Sequence, residues 1–159
     1  MKKIVKSVLI LGLISLFLTG CSSNKVREDI EVYSEEISKL EPKETKAINE
    51  LNSVIGENYT SDPITYDHVM NTVLPLYSEF IKELEEIQPE TEEVSDVHEL
   101  YIQAVNTQHQ AMLKLISALN NQDINEVNES NALFSEGRTK IREYRKELKS
   151  LAKEHDLEL

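Results

Sequence analysis

Apolar residues recur along this chain at alternating steps of three and four, the period of a helix with one buried face. Ile30, Tyr33, Ile37 and Leu40 begin the pattern, and Ala47, Leu51 and Val54 resume it. Glu44 occupies the one step that should be apolar, and Pro42 lies beside that fault. Proline lacks an amide proton and crowds the preceding turn, so the first helix is expected to kink or split at Pro42. Gly56 suits its end. A second helix opens with Ser61 or Asp62 as cap and Pro63 at the first position. Its stripe runs unbroken through Tyr66, Met70, Val73, Tyr77, Phe80, Leu84 and Ile87, with Pro75 on the other face as a candidate bend.

After the short connection at 88–91, Val94, Val97, Tyr101, Ala104, Gln108, Ala111, Leu115 and Ala118 mark a third helix, widened by Val105, Met112, Ile116 and Leu119. Asn120 to Asp123 break the pattern, and Asp123 or Asn121 caps a fourth. That last stripe holds Val127, Phe134, Gly137, Ile141, Tyr144, Leu148 and Leu151. Four segments of comparable length joined by short loops predict an all-α protein, an antiparallel four-helix bundle. Gly137 costs helix stability relative to alanine, so its expected use is to let a neighbouring helix approach closely. Asn128 and Asn131 fall near the stripe and are expected to fix register between helices.

The first twenty residues break with all this. Lys2, Lys3 and Lys6 precede an apolar run that ends at Leu18. At about twelve residues the run is short of the roughly twenty needed to span hydrocarbon. A basic start and a short apolar core have the form of a secretory signal peptide. Leu18-Thr19-Gly20-Cys21 then resembles the lipobox of bacterial lipoproteins: an aliphatic residue, two small ones and the cysteine. The resemblance implies a diacylglycerol on the Cys21 thiol, cleavage just before it, and a lipid anchor on the extracytoplasmic side of the cell membrane. It divides the chain into a signal (1–20), a lipidated polar tether (21–25) and a helical domain (26–159). Cys21 is the only cysteine, so no disulfide joins two parts of the chain.

Charge narrows the partners. Without its signal the chain carries 14 basic against 29 acidic residues, a net of −15. Such a chain is ill suited to phosphate backbones, and nucleic acid is not an expected partner. Seven of the basic residues lie between Arg138 and Lys153, where they are expected to offset acidic neighbours and the dipole at the end of the last helix.

Sites of chemistry are hard to find. None of His68, His98, His109 and His155 has Glu three residues before it, as di-metal bundles require, and His98-Glu99 lacks the second histidine of HExxH. No nucleophile elbow appears, and only Gly56 and Gly137 remain for a phosphate loop. No metal, cofactor or enzymatic activity is expected. The leading expectation is a membrane-anchored, non-enzymatic interaction module for a protein or peptide of the cell envelope. The alternative is a small-ligand or cation-binding lipoprotein with a pocket inside the bundle, lined by Tyr66, Tyr77, His98, Tyr101 and Gln108.

Overall fold

The computed structural model describes residues 19–159, with side chains from Asn24 onward. The basic start, the apolar run and Leu18 lie outside the described residues, and of Thr19, Gly20 and Cys21 only the backbone is described. Among the described residues all regular structure is helical, arranged as a helical bundle of four rods, and no helix is long and apolar enough to cross a membrane.

The first rod, α1 (Thr19–Asn52), passes Pro42 without interruption, so the chain is not split there. Pro42 removes one backbone hydrogen bond, at a cost of about 3 kcal/mol in a helix interior. Leu40 on one side and Ala47 and Leu51 on the other are all buried, and their packing holds the helix across the defect. The helix already includes residues 21–25, and Val26, 2% exposed, is part of the core.

The second rod consists of α2 (Asp62–His68), a π-helical turn (Val69–Val73) and α3 (Leu74–Glu85). Ser61 is the cap and Pro63 lies in the first turn, as the sequence indicates. The buried face is different from the expected one. Met70 is exposed, Tyr66 is half-buried, and Thr65 and Val69 are buried instead. Thr65, Val69, Val73 and Tyr77 follow one another at steps of four, wider than a 3.6-residue period sustains. A π turn holds more residues per turn than an α-helix, so it keeps all four on one face. Thr65 also has local use for its position, since its hydroxyl donates to the Val54 carbonyl at 2.9 Å.

The last two rods, α4 (Glu92–Asn121) and α5 (Ile124–Glu154), pack closely. Ala104, Ala111 and Ala118 recur every seventh residue on α4, and Ser130 and Gly137 do so on α5, all of them buried. Small side chains at heptad spacing let two backbones approach. A Cβ on Gly137 would fall 2.5 Å from Cγ of Gln108 and 3.3 Å from its backbone nitrogen, so this glycine serves the close approach. Ser130 keeps its hydroxyl satisfied by donating to the Ala111 carbonyl at 2.8 Å. Asp123 caps α5 by accepting from the Asn125 amide. Asn128 and Asn131 are exposed, which removes them from any role in register.

Contacts between rods link Val54 to Thr65, Glu50 to His68, Lys43 to Glu83 and Asp29 to Thr91. On the other side they link Tyr101 to Tyr144, Ala111 to Ser130 and Ser117 to Glu126. Asp29, 6% exposed, accepts from the amides of Glu90 (3.1 Å) and Thr91 (2.8 Å) and from the Thr91 hydroxyl (2.6 Å). Thr91 is the residue that opens α4, and its own side chain makes no capping bond. A carboxylate from α1 therefore fixes the entry of α4.

Candidate functional site

The five residues expected to line one pocket are separated. Tyr77, fully buried, packs against Phe80 at 5.6 Å, and Phe80 packs against Tyr101 at 6.2 Å. His98 lies edge-on to Tyr33 (5.5 Å), with its Nδ1 3.3 Å from the Tyr33 hydroxyl. Tyr66 packs at the margin of the core. Of the five, Gln108 alone reaches the cleft described below. Three of them are thus members of a packed aromatic core.

That core is unusually polar. The Tyr33 hydroxyl donates to that of Tyr144 at 3.4 Å, and Tyr101 and Tyr144 stack with centroids 4.4 Å apart and planes within 4°. Tyr101 donates to Glu44 Oε2 at 2.7 Å. Burial raises all four buried tyrosines above their ordinary value and lowers His98, which favours its neutral form. Tyr77 is the exception to satisfaction: its buried hydroxyl has no hydrogen-bond partner. A buried orphan hydroxyl costs about 1–3 kcal/mol. Tyr77→Phe is therefore expected to stabilise the fold by about 1 kcal/mol, read as a higher urea midpoint at unchanged slope.

Glu44, the fault in the first stripe, joins this core to the outside. It is half-buried at the inner end of a cleft of about 780 Å³ between the C-terminal part of α1 and the middle of α5. Ile48 and Leu51 from α1, Ile55 just after it, and Phe134 and Ile141 from α5 supply its apolar surface. Tyr33 of α1 and Tyr144 of α5 meet through their hydroxyls, and the cleft lies between later residues of α1 and α5. Arg138, Arg142 and Arg145, all exposed, stand along one rim. No carboxylate among the described residues comes within ion-pairing distance of any of them, and Arg142 donates to Thr139 Oγ1 at 2.8 Å. Their lysine neighbours are paired: Lys140 with Glu136 at 2.9 Å and Lys146 with Glu147 at 3.5 Å.

No family model, curated protein or solved structure matches this chain. What the cleft can do follows from its own residues. Its lining holds no histidine, serine or cysteine, so it offers guanidinium donors above an apolar floor. Among the described residues no three of His, Cys, Asp and Glu gather where a metal ion could sit.

Burial raises the Glu44 carboxyl above its usual value, while the Tyr101 hydroxyl and the Arg145 charge oppose the shift without cancelling it. A carboxyl raised in the folded state contributes stability below its unfolded value, near 4.5, and that contribution is lost as pH rises through the folded value. At pH 7 the charge is a net burden. Glu44→Gln keeps an acceptor for Tyr101 without the charge. It is expected to be more stable than the wild type at pH 7 and equal to it below about pH 4. Denaturant midpoints measured across that range check both ends.

Proposed function

We propose that this protein is a bacterial lipoprotein, held on the extracytoplasmic face of the cell membrane by lipid on Cys21, whose helical domain is a non-enzymatic interaction module. The rods form an antiparallel four-helix bundle. In support, rising residue numbers on α1 meet falling numbers on the second rod (43 with 83, 50 with 68), and α4 meets α5 in the same way (101 with 144, 111 with 130, 117 with 126). A bend in α1 at Pro42 belongs to the same reading. The α1 residues of the cleft all follow Pro42, and a helix that bends away there would leave the seam with α5 open.

The observation that carries the proposal is the sequence Leu18-Thr19-Gly20-Cys21 at the end of a short apolar run, where the helix that enters the core begins. Glu44 lies twenty-three residues beyond Cys21 on that helix, a rise of about 35 Å. The anchored domain would thus present its cleft well clear of the headgroups. Two or three acyl chains make such an attachment durable, whereas one binds only marginally. Labelling cells with radioactive palmitate tests the anchor: label is expected on the wild type and lost in Cys21→Ser, and equal label on both would overturn it. Crosslinking in intact cells tests the module, which falls if no envelope component is trapped.

A small-ligand-binding lipoprotein is the second reading. The size of the cleft favours it, since about 300–1,000 Å³ is usual for such sites. A thermal-shift screen separates the two, because a bound ligand raises stability by mass action.

A further inference from the structure

We infer that the cleft between α1 and α5 docks an acidic amphipathic helix of a protein partner, laid alongside α5 as an additional rod. This deepens the interaction-module reading and rests on it.

Three features of the cleft converge on that occupant. The first is charge. In a domain of strong net negative charge, Arg138 and Arg142 face no carboxylate among the described residues, Arg145 has only the electrostatic pull of Glu44, and the lysines Lys140 and Lys146 beside them are paired. An acidic domain that keeps three exposed guanidiniums along one rim repels acidic partners over most of its surface and accepts them there, which gives orientation as well as attraction. The second is spacing. The three arginines stand at i, i+4 and i+7, so they rise along α5 in a single row about 10 Å long. Carboxylates at the same intervals on a parallel or antiparallel helix would meet all three, with the planar fork of each guanidinium suited to a carboxylate. A ligand with a single anionic group would occupy one or two of them. The third is the floor. Ile48 and Leu51 stand at helical spacing on α1, as Phe134 and Ile141 do on α5, with Ile55 just beyond the end of α1, and all except the buried Leu51 are only half-buried. Two apolar stripes that fail to cover each other form a groove into which the stripe of a third helix packs. The lining on α5 runs from Asn131 to Arg145, a length of about 20 Å, or about four helical turns.

The opposite rim is compatible. Asn49, Asn52 and Thr45 are neutral, so Glu44 is the one acidic residue lining the cleft, and Arg145 already acts on its charge. Arg138 and Arg142 are therefore the residues whose reversal weakens binding most.

The test uses the full-length lipidated protein in phosphatidylcholine nanodiscs and a fluorescent peptide of about 18 residues, designed with a leucine stripe flanked by glutamates at i, i+4 and i+7. A second peptide replaces those glutamates by lysine. Fluorescence anisotropy is expected to show saturable binding of the acidic peptide, weakened at least tenfold in the Arg138→Glu, Arg142→Glu double variant and several-fold by raised salt. The lysine peptide is expected not to bind. Both arginines are exposed, so an unchanged circular dichroism spectrum and denaturant midpoint show that the variant still folds. Position is read separately. A benzophenone on Asn52→Cys, on the cleft wall, is expected to crosslink the acidic peptide, and the same probe on exposed Ile124→Cys is not.

Equal binding of the two peptides, indifference to the arginine reversal, equal crosslinking from both positions, or no binding of the acidic peptide would each overturn the assignment. Arginine-dependent binding of oleate without binding of the peptide would also overturn it and give the cleft to a fatty anion. The anchor is judged apart from all of these: palmitate label that depends on Cys21 with no peptide binding sinks the docking helix alone, and loss of that dependence sinks the anchor alone.

Discussion

Phe80→Ala is expected to lower the stability of the fold by about 3–5 kcal/mol, the usual cost of deleting a buried aromatic ring. Phe80 is fully buried and bridges Tyr77 and Tyr101, so its loss leaves a void between two rings that cannot both move into it. Tyr101 is held on its far side by the stack with Tyr144 and by its bond to Glu44. Limited collapse places the cost toward the upper part of the range. A domain of ordinary stability, about 5–15 kcal/mol, would lose a large share of it. Denaturant unfolding followed by circular dichroism checks the value, and a cost under about 1 kcal/mol would contradict the packing described here.

The second large effect is expected at Asp29. Asp29→Ala removes the acceptor for two amides and one hydroxyl at the entry to α4. Hydrogen bonds to a charged group contribute about 1.5–3 kcal/mol each, and water admitted to the half-buried loop would recover part of the loss. A net cost of about 3 kcal/mol is expected. Asp29→Asn keeps one acceptor oxygen and should cost clearly less. Hydrogen exchange gives a sharper readout than the midpoint, because protection of the amides of Glu90 and Thr91 should fall in the alanine variant before the rest of α4 loosens.

The sequence reveals the stripes because burial imposes their period. Ile30, Tyr33, Leu40, Phe80, Leu84, Tyr101 and Tyr144 all enter the core from positions that spacing alone marks. It also exposes Glu44 as a fault, and that residue stands at the inner end of the cleft. Other features depend on what lies across the fold. Asp29 reads as one more solvated acid until Thr91, 62 positions away, is brought against it. Met70 fits a regular helix, and only the wide turn at Val69–Val73 turns Thr65 and Val69 inward in its place. Periodicity shows that Phe134 and Ile141 share an apolar face, but whether a neighbour covers that face is decided by how two rods diverge. Arg138, Arg142 and Arg145 read as compensation for nearby acids for the same reason. That none of them forms an ion pair is a property of the assembled rods.

The wide turn in the second rod leaves the chain forgiving at one place. It holds a residue more than ordinary helix would need between the same two faces. Shortening the chain by one amino acid within 69–73 would let that turn tighten into regular helix, with Phe80 and Leu84 still pointing inward. The same loss in the middle of α4 would swing every later side chain by about 100° and pull the alanine seam away from Gly137. Changes of length are therefore absorbed beside Pro75 and punished along the close-packed pair.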